Sequence, residues 1–131
     1  MGDGNLGKWG EWEVGGRPHE RLDAWRQGMR LVKAVYDVSA RFPADERFGL
    51  TQQMRRAAVS IPSNIAEGAA RSGPKEYAHF ISVARGSLAE LTTQIQIAGM
   101  LGYLVDTAEI LNLTDHVGRL LTGLYRKWSA Q

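Results

Sequence analysis

Four stretches of the chain place apolar residues at alternating steps of three and four, the spacing of a helix with one buried side. In the first, Leu22, Trp25, Met29, Val32 and Tyr36 form the line, and the helix stops near Arg41 because Pro43 bars helical backbone at Phe42. The second runs from about Phe48 to Arg71 on Leu50, Met54, Ala57, Ile61 and Ile65. Pro62 falls inside it and has no N–H to give the Ala58 carbonyl, which predicts a kink rather than a necessary end. Ser72-Gly73-Pro74 is a turn, with Pro74 suited to the first turn of the next helix. The third stretch has the longest line: Tyr77, Ile81, Ala84, Leu88, Leu91, Ile95 and Ala98, ending at Gly102. The fourth starts near Asp106, a residue of N-capping type, and carries Ile110, Leu113, Val117, Leu120, Leu121, Leu124 and Trp128. Its other side, Glu109, Asn112, Asp115, Arg119 and Arg126, reads as an ordinary solvated face. Long helices with short connections predict an all-α, antiparallel up-down four-helix bundle over residues 19–131. Residues 1–18 are Gly-rich, hold Trp9 and Trp12, lack periodicity and read as a flexible tail.

Two further stripes emerge when each residue is advanced by about 100°. On the second helix Gln53, Arg56, Ser60, Asn64, Glu67 and Arg71 share a narrow polar line. It is either a solvated face with intrahelical pairs such as Glu67 to Arg71, or a polar network at a helix or subunit contact. On the third helix Ser82, Gly86, Ala89, Thr93, Ile97 and Met100 lie opposite the core line, small or apolar where a surface helix carries charge. Gly86 in a helix interior costs about 1 kcal/mol relative to Ala, which suits the close approach of another backbone. Val59, Ala66 and Ala70 make a similar second face on helix two. Helices with two apolar sides imply a homo-oligomer, with Gly86, Ala89, Thr93, Ile97, Val59 and Ala66 in its interface.

Composition narrows the chemistry. The chain has no cysteine, so disulfides, thiolate zinc sites and a cysteine nucleophile are excluded, and a reducing compartment fits. No apolar run approaches the roughly 20 residues that cross a bilayer, and no secretion signal is apparent; the expectation is a cytoplasmic protein without a membrane role. Gly2, Gly4 and Gly7 spell G-x-G-x-x-G but have no strand before them or helix after them, so they make no nucleotide fingerprint. Glu76 and His79 have the spacing of a di-iron half-site, yet His116 has Leu113 where the second glutamate belongs. The expectation is a protein that is not an enzyme and binds neither metal nor cofactor.

A net charge of +2 does not by itself demand a nucleic-acid partner. Clustering matters more. Arg26, Arg30 and Lys33 share a side of helix one, and Arg55, Arg56, Arg71, Lys75 and Arg85 lie around helices two and three. Arginine and lysine bind phosphate without sequence preference, although the same residues also serve as solubilising charge.

From about Leu22 to Tyr103 the sequence resembles the bacterial four-helix-bundle proteins encoded by intervening sequences in 23S rRNA genes. The resemblance rests on Phe48-Gly49-Leu50, on Gln53 with Arg55-Arg56-Ala57, and on the run Ser60-Ile61-Pro62-Ser63-Asn64-Ile65-Ala66-Glu67-Gly68 with Arg71. It continues through Phe80, Ala84-Arg85-Gly86-Ser87-Leu88 with Glu90, and Gly102-Tyr103. It implies a homopentameric barrel and a likeness in fold to the accessory variability determinant of diversity-generating retroelements, a basic pentamer that binds nucleic acid. It also gives Asn64, Glu67, Arg71, Ser87 and Glu90 the look of a structural polar network. Arg55, Arg56 and Arg85 become the better candidates for phosphate, with Arg26, Arg30 and Lys33 beside them. The expected partners are further copies of the chain together with structured RNA or an RNA-protein assembly. The alternative is a protein-protein adaptor with an unidentified protein partner and no nucleic-acid role.

Overall fold

The computed structural model describes His19 and residues 22–131. The Gly2, Gly4 and Gly7 spacing, Trp9 and Trp12 lie outside the described residues. Helices α1 (Asp23–Ser39), α2 (Leu50–Ala70), α3 (Pro74–Met100) and α4 (Ala108–Ser129) follow in order, with a 3-10 turn at Ala44–Glu46 between the first two. Among the described residues there is no strand. Each helix packs on its neighbour in sequence and α4 returns to α1, which closes the four into the expected bundle.

The connections follow from local chemistry. Gly73, at φ 108°, leads into Pro74 at the first turn of α3. At the other end of α3 the Tyr103 amide donates to the Ala98 carbonyl at 2.9 Å across Gly102, at φ 81°, the left-handed glycine stop of a Schellman motif. Asp106 caps from one position further out than a true N-cap: its Oδ1 accepts from the Ala108 amide at 2.9 Å.

The core lines of α2 and α3 are those the periodicity predicts. Met54, Ile61, Ile65, Ile81, Leu91 and Ile95 are fully buried, each contributing about 1.5–3 kcal/mol of transfer free energy. In α4 Ile110, Val117 and Leu121 are buried, and Thr114 joins them by donating its hydroxyl to the Leu111 carbonyl at 2.7 Å. Helix α1 departs from expectation. Its buried line is Ala24, Gly28, Leu31, Val35 and Ser39, while Trp25 and Val32 only flank the core and Tyr36 is exposed. The reason is a close crossing. A Cβ on Gly28 would stand 3.6 Å from Ile61 and from Pro62, so α1 lays Gly28 against the proline of α2. Helix α2 itself runs unbroken through Pro62.

Candidate nucleic-acid interface

Where α1 ends and α2 begins, a groove of about 610 Å³ opens, with Tyr36 on the α1 side and Phe48, Gln52, Arg55 and Arg56 along the start of α2. Arg47 completes a set of three guanidinium groups, and none of the groove's described lining residues is acidic. Phe48 is 79% exposed, with the Arg47 guanidinium 5.5 Å from its ring centre.

Arg55 is committed to the fold. Its Nε donates to the Ser39 hydroxyl at 2.9 Å, its Nη2 to the Tyr36 carbonyl at 3.4 Å, and its guanidinium lies 4.4 Å from the Tyr36 ring centre. These contacts place a cation at the last turn of α1, where the helix dipole favours it. Arg56, one position on, is exposed.

The groove is acid-free partly because Glu46 turns elsewhere. Its Oε1 accepts from the Leu50 amide at 3.0 Å, capping α2, and its Oε2 accepts from the Tyr103 hydroxyl at 2.9 Å. The amide bond first, then the phenol, hold the Glu46 carboxyl below its ordinary pKa; the same contact raises that of Tyr103. Gly49 makes the cap possible, since a Cβ there would stand 2.7 Å from Glu46 Oε1. The hydrophobic pattern does not single out Glu46; a carboxylate four residues before the first helical position is its only signal.

Arg85 belongs to a different surface. It lines a groove of about 770 Å³ between α3 and α4 with Arg119 and Arg126, where Asp115 is the one acidic residue among those described. Its guanidinium lies 5.0 Å from the Tyr125 ring centre. Arg119 and Arg126, which periodicity assigns to a plain solvated face, are two turns apart on α4 and look onto this groove. With helices packed in the order α1, α2, α3, α4, the α1–α2 and α3–α4 grooves lie on opposite sides of the bundle. The remaining basic candidates stand on α1: Lys33 pairs with Asp37 at 3.0 Å, and Arg26 and Arg30 are half-buried. The six candidate phosphate ligands therefore do not form one patch.

The residues expected in one polar network divide into three groups. Asn64 donates to the Ser60 carbonyl at 2.7 Å and hydroxyl at 2.9 Å, and Ser60 shares a 2.8 Å hydrogen bond with Ser87, which joins α2 to α3. Glu67 and Arg71 form an exposed pair within α2 at 2.6 Å. Glu90 accepts from Gln94 at 3.3 Å within α3. Of the residues expected between subunits, Gly86, Ala89 and Thr93 are exposed and Ile97 is half-buried on the outer side of α3. Val59 is exposed but lines the Phe48 groove, and Ala66 is half-buried on α2. Glu76 and His79 are exposed, and no group of three or more metal-ligating residues occurs among the described residues. No described helix is long and apolar enough to cross a membrane.

Fold and surface together define a small all-α bundle with an arginine-lined groove on each of two sides. The chain belongs to the 23S rRNA-intervening sequence protein family, whose model matches residues 20–123. No curated protein matches it.

Proposed function

We propose that the protein is a non-enzymatic, homo-oligomeric bundle that binds structured RNA, or an RNA-protein assembly, through its arginines. The observation that carries this is the α1–α2 groove, with three guanidinium groups and no carboxylate among its described lining residues. Such a surface suits a phosphodiester chain, whose charge it neutralises as counterions leave. The α3–α4 groove with Arg85, Arg119 and Arg126 adds a second phosphate surface.

Assembly is supported by the outer side of α3. A Cβ on Gly86 would meet nothing within 4 Å, so the chain's own packing does not require a glycine there. Another copy packed on Gly86 and Thr93 explains it, in the pentameric ring that the family resemblance implies. The test is titration of labelled 23S rRNA fragments across a salt series, with native mass measured on the same samples. Affinity that falls steeply with salt is expected, and Arg47→Ala with Arg56→Ala should flatten the salt dependence by roughly 0.7–0.9 for each phosphate left without its cation. Thr93→Glu should lower the native mass. Absence of binding at low salt overturns the RNA reading, and a monomeric wild type overturns assembly.

A protein-protein adaptor is the second reading, favoured by Met100, Leu101 and Val105 around the α3–α4 turn, which are 77%, 49% and 99% exposed. Solvated apolar side chains gathered in one turn suit a protein partner. Loss of such a partner on Met100→Ser with Val105→Ser, while RNA affinity is unchanged, would assign this turn to it.

A further inference from the structure

We infer that the α1–α2 groove receives an unpaired nucleotide, with its base stacked on Phe48 and its phosphates held by Arg47 and Arg56. This rests on the RNA reading above and names the part of an RNA that the site selects. Phe48 is a large aromatic ring left 79% exposed, so burial within the chain does not account for it. Its backbone is nonetheless held in place. The Arg47 amide donates to the Ala44 carbonyl at 3.1 Å, the Gly49 amide to the Glu46 carbonyl at 2.9 Å, and the Glu46 carboxylate caps α2 one residue beyond. An exposed ring on a fixed backbone is preorganised to bind, because little freedom is lost when a ligand arrives.

The surrounding charge selects the ligand. Three guanidinium groups line the groove without a carboxylate among its described lining residues, so an apolar protein segment would strip water from Arg47 and Arg56, which, unlike Arg55, are not hydrogen-bonded to α1. A nucleotide satisfies both halves of the groove: its π-face covers the ring, and its phosphates meet the cations. A duplex has its base faces already stacked, whereas loops, bulges and ends expose theirs. One ring of the groove is open to a base. The second aromatic, Tyr36, carries the Arg55 guanidinium 4.4 Å from its ring centre, anchored there by a hydrogen bond to Ser39, whereas Arg47, 5.5 Å from the Phe48 ring centre, has no such anchor and can turn to a phosphate. Gln52, on the same groove, supplies an amide for the base edge.

The experiment uses the full chain and three probes: a single-stranded RNA of about ten nucleotides carrying 2-aminopurine, an abasic strand of the same length, and a duplex. Phe48→Ala is expected to weaken binding of the single strand roughly 10- to 100-fold while leaving its salt slope unchanged. Abasic and duplex probes should bind Phe48→Ala as they bind wild type, and Phe48→Trp should retain affinity and quench the 2-aminopurine. Far-UV circular dichroism verifies the fold of each variant. Single-strand affinity unchanged in Phe48→Ala overturns the inference and leaves phosphate binding standing. Phe48→Ala that lowers native mass without touching RNA affinity gives the groove to a second copy and also overturns it. A wild type that binds none of the probes removes the RNA reading and this inference together.

Discussion

Gly68 and Gly123 sit in helices yet should respond to alanine in opposite directions. Glycine in a helix interior costs about 0.8–1 kcal/mol relative to alanine, so a methyl group with room to fit is stabilising. At Gly123 the added Cβ meets nothing within 4 Å, and the full gain of about 1 kcal/mol is expected. At Gly68 it would stand 3.0 Å from Phe80 Cβ, 3.3 Å from Tyr77 Cδ1 and 3.3 Å from the Tyr77 carbonyl oxygen. Two of those neighbours are backbone or next to it, so rotation of a side chain cannot relieve the clash and α3 must shift. Overpacking of this kind costs about 1–3 kcal/mol, which outweighs the propensity gain and leaves a net loss of about 1 kcal/mol. Thermal unfolding followed by circular dichroism reads the difference. At about 4 °C per kcal/mol for a domain of this size, Gly123→Ala should raise Tm by about 4 °C and Gly68→Ala should lower it by a similar amount. A Gly68→Ala protein as stable as wild type, or more so, would refute the claim that this glycine sets the α2–α3 distance.

Arg55 and Arg56 should separate in stability as they do in structure. Arg55→Ala removes hydrogen bonds to Ser39 and Tyr36 and the stacking on the Tyr36 ring, and should cost about 2 kcal/mol in chemical denaturation, whereas Arg56→Ala should change stability by less than about 0.5 kcal/mol. Glu46 makes stability depend on acid. Because its folded pKa is lowered from 4.5, its contribution is present above that value and disappears as pH falls through the lower folded one; Glu46→Gln should remove that part of the acid dependence in denaturation across this range. The raised pKa of Tyr103 acts at the other end: its contribution is present below pH 10.0 and disappears as pH rises through the folded value, and Tyr103→Phe should abolish it.

Legibility in the sequence tracks how strongly a residue's chemistry ties it to one environment. The Tyr77 to Ala98 line of α3 is all buried, because apolar residues at regular helical spacing have one favourable place to go. The same reasoning misses α1, where Leu31 and Val35 are buried in place of Trp25 and Val32 because Ala24, Gly28 and Ser39 face the core beside them. Small residues say little about burial until the partner surface, here Ile61 and Pro62, is known. Arg119 and Arg126 show the same limit for the site. On α4 alone they are solvated charge; beside Arg85 they line a groove.

Apolar spacing and backbone preference within single segments were enough for the four helices, their stops at Gly73-Pro74 and Gly102, and the inward lines of α2 and α3; the spaced motifs were enough for the family. Folding was needed to show that Arg55 braces α1 while Arg56 faces solvent, and that Glu46 joins the start of α2 to Tyr103. It was needed, too, to put Arg85 on the opposite side of the bundle from both arginines. The physical reason is range: helix formation depends on neighbours within about four residues, whereas an arginine's role depends on which distant carbonyl, ring or charge folding brings within hydrogen-bonding reach.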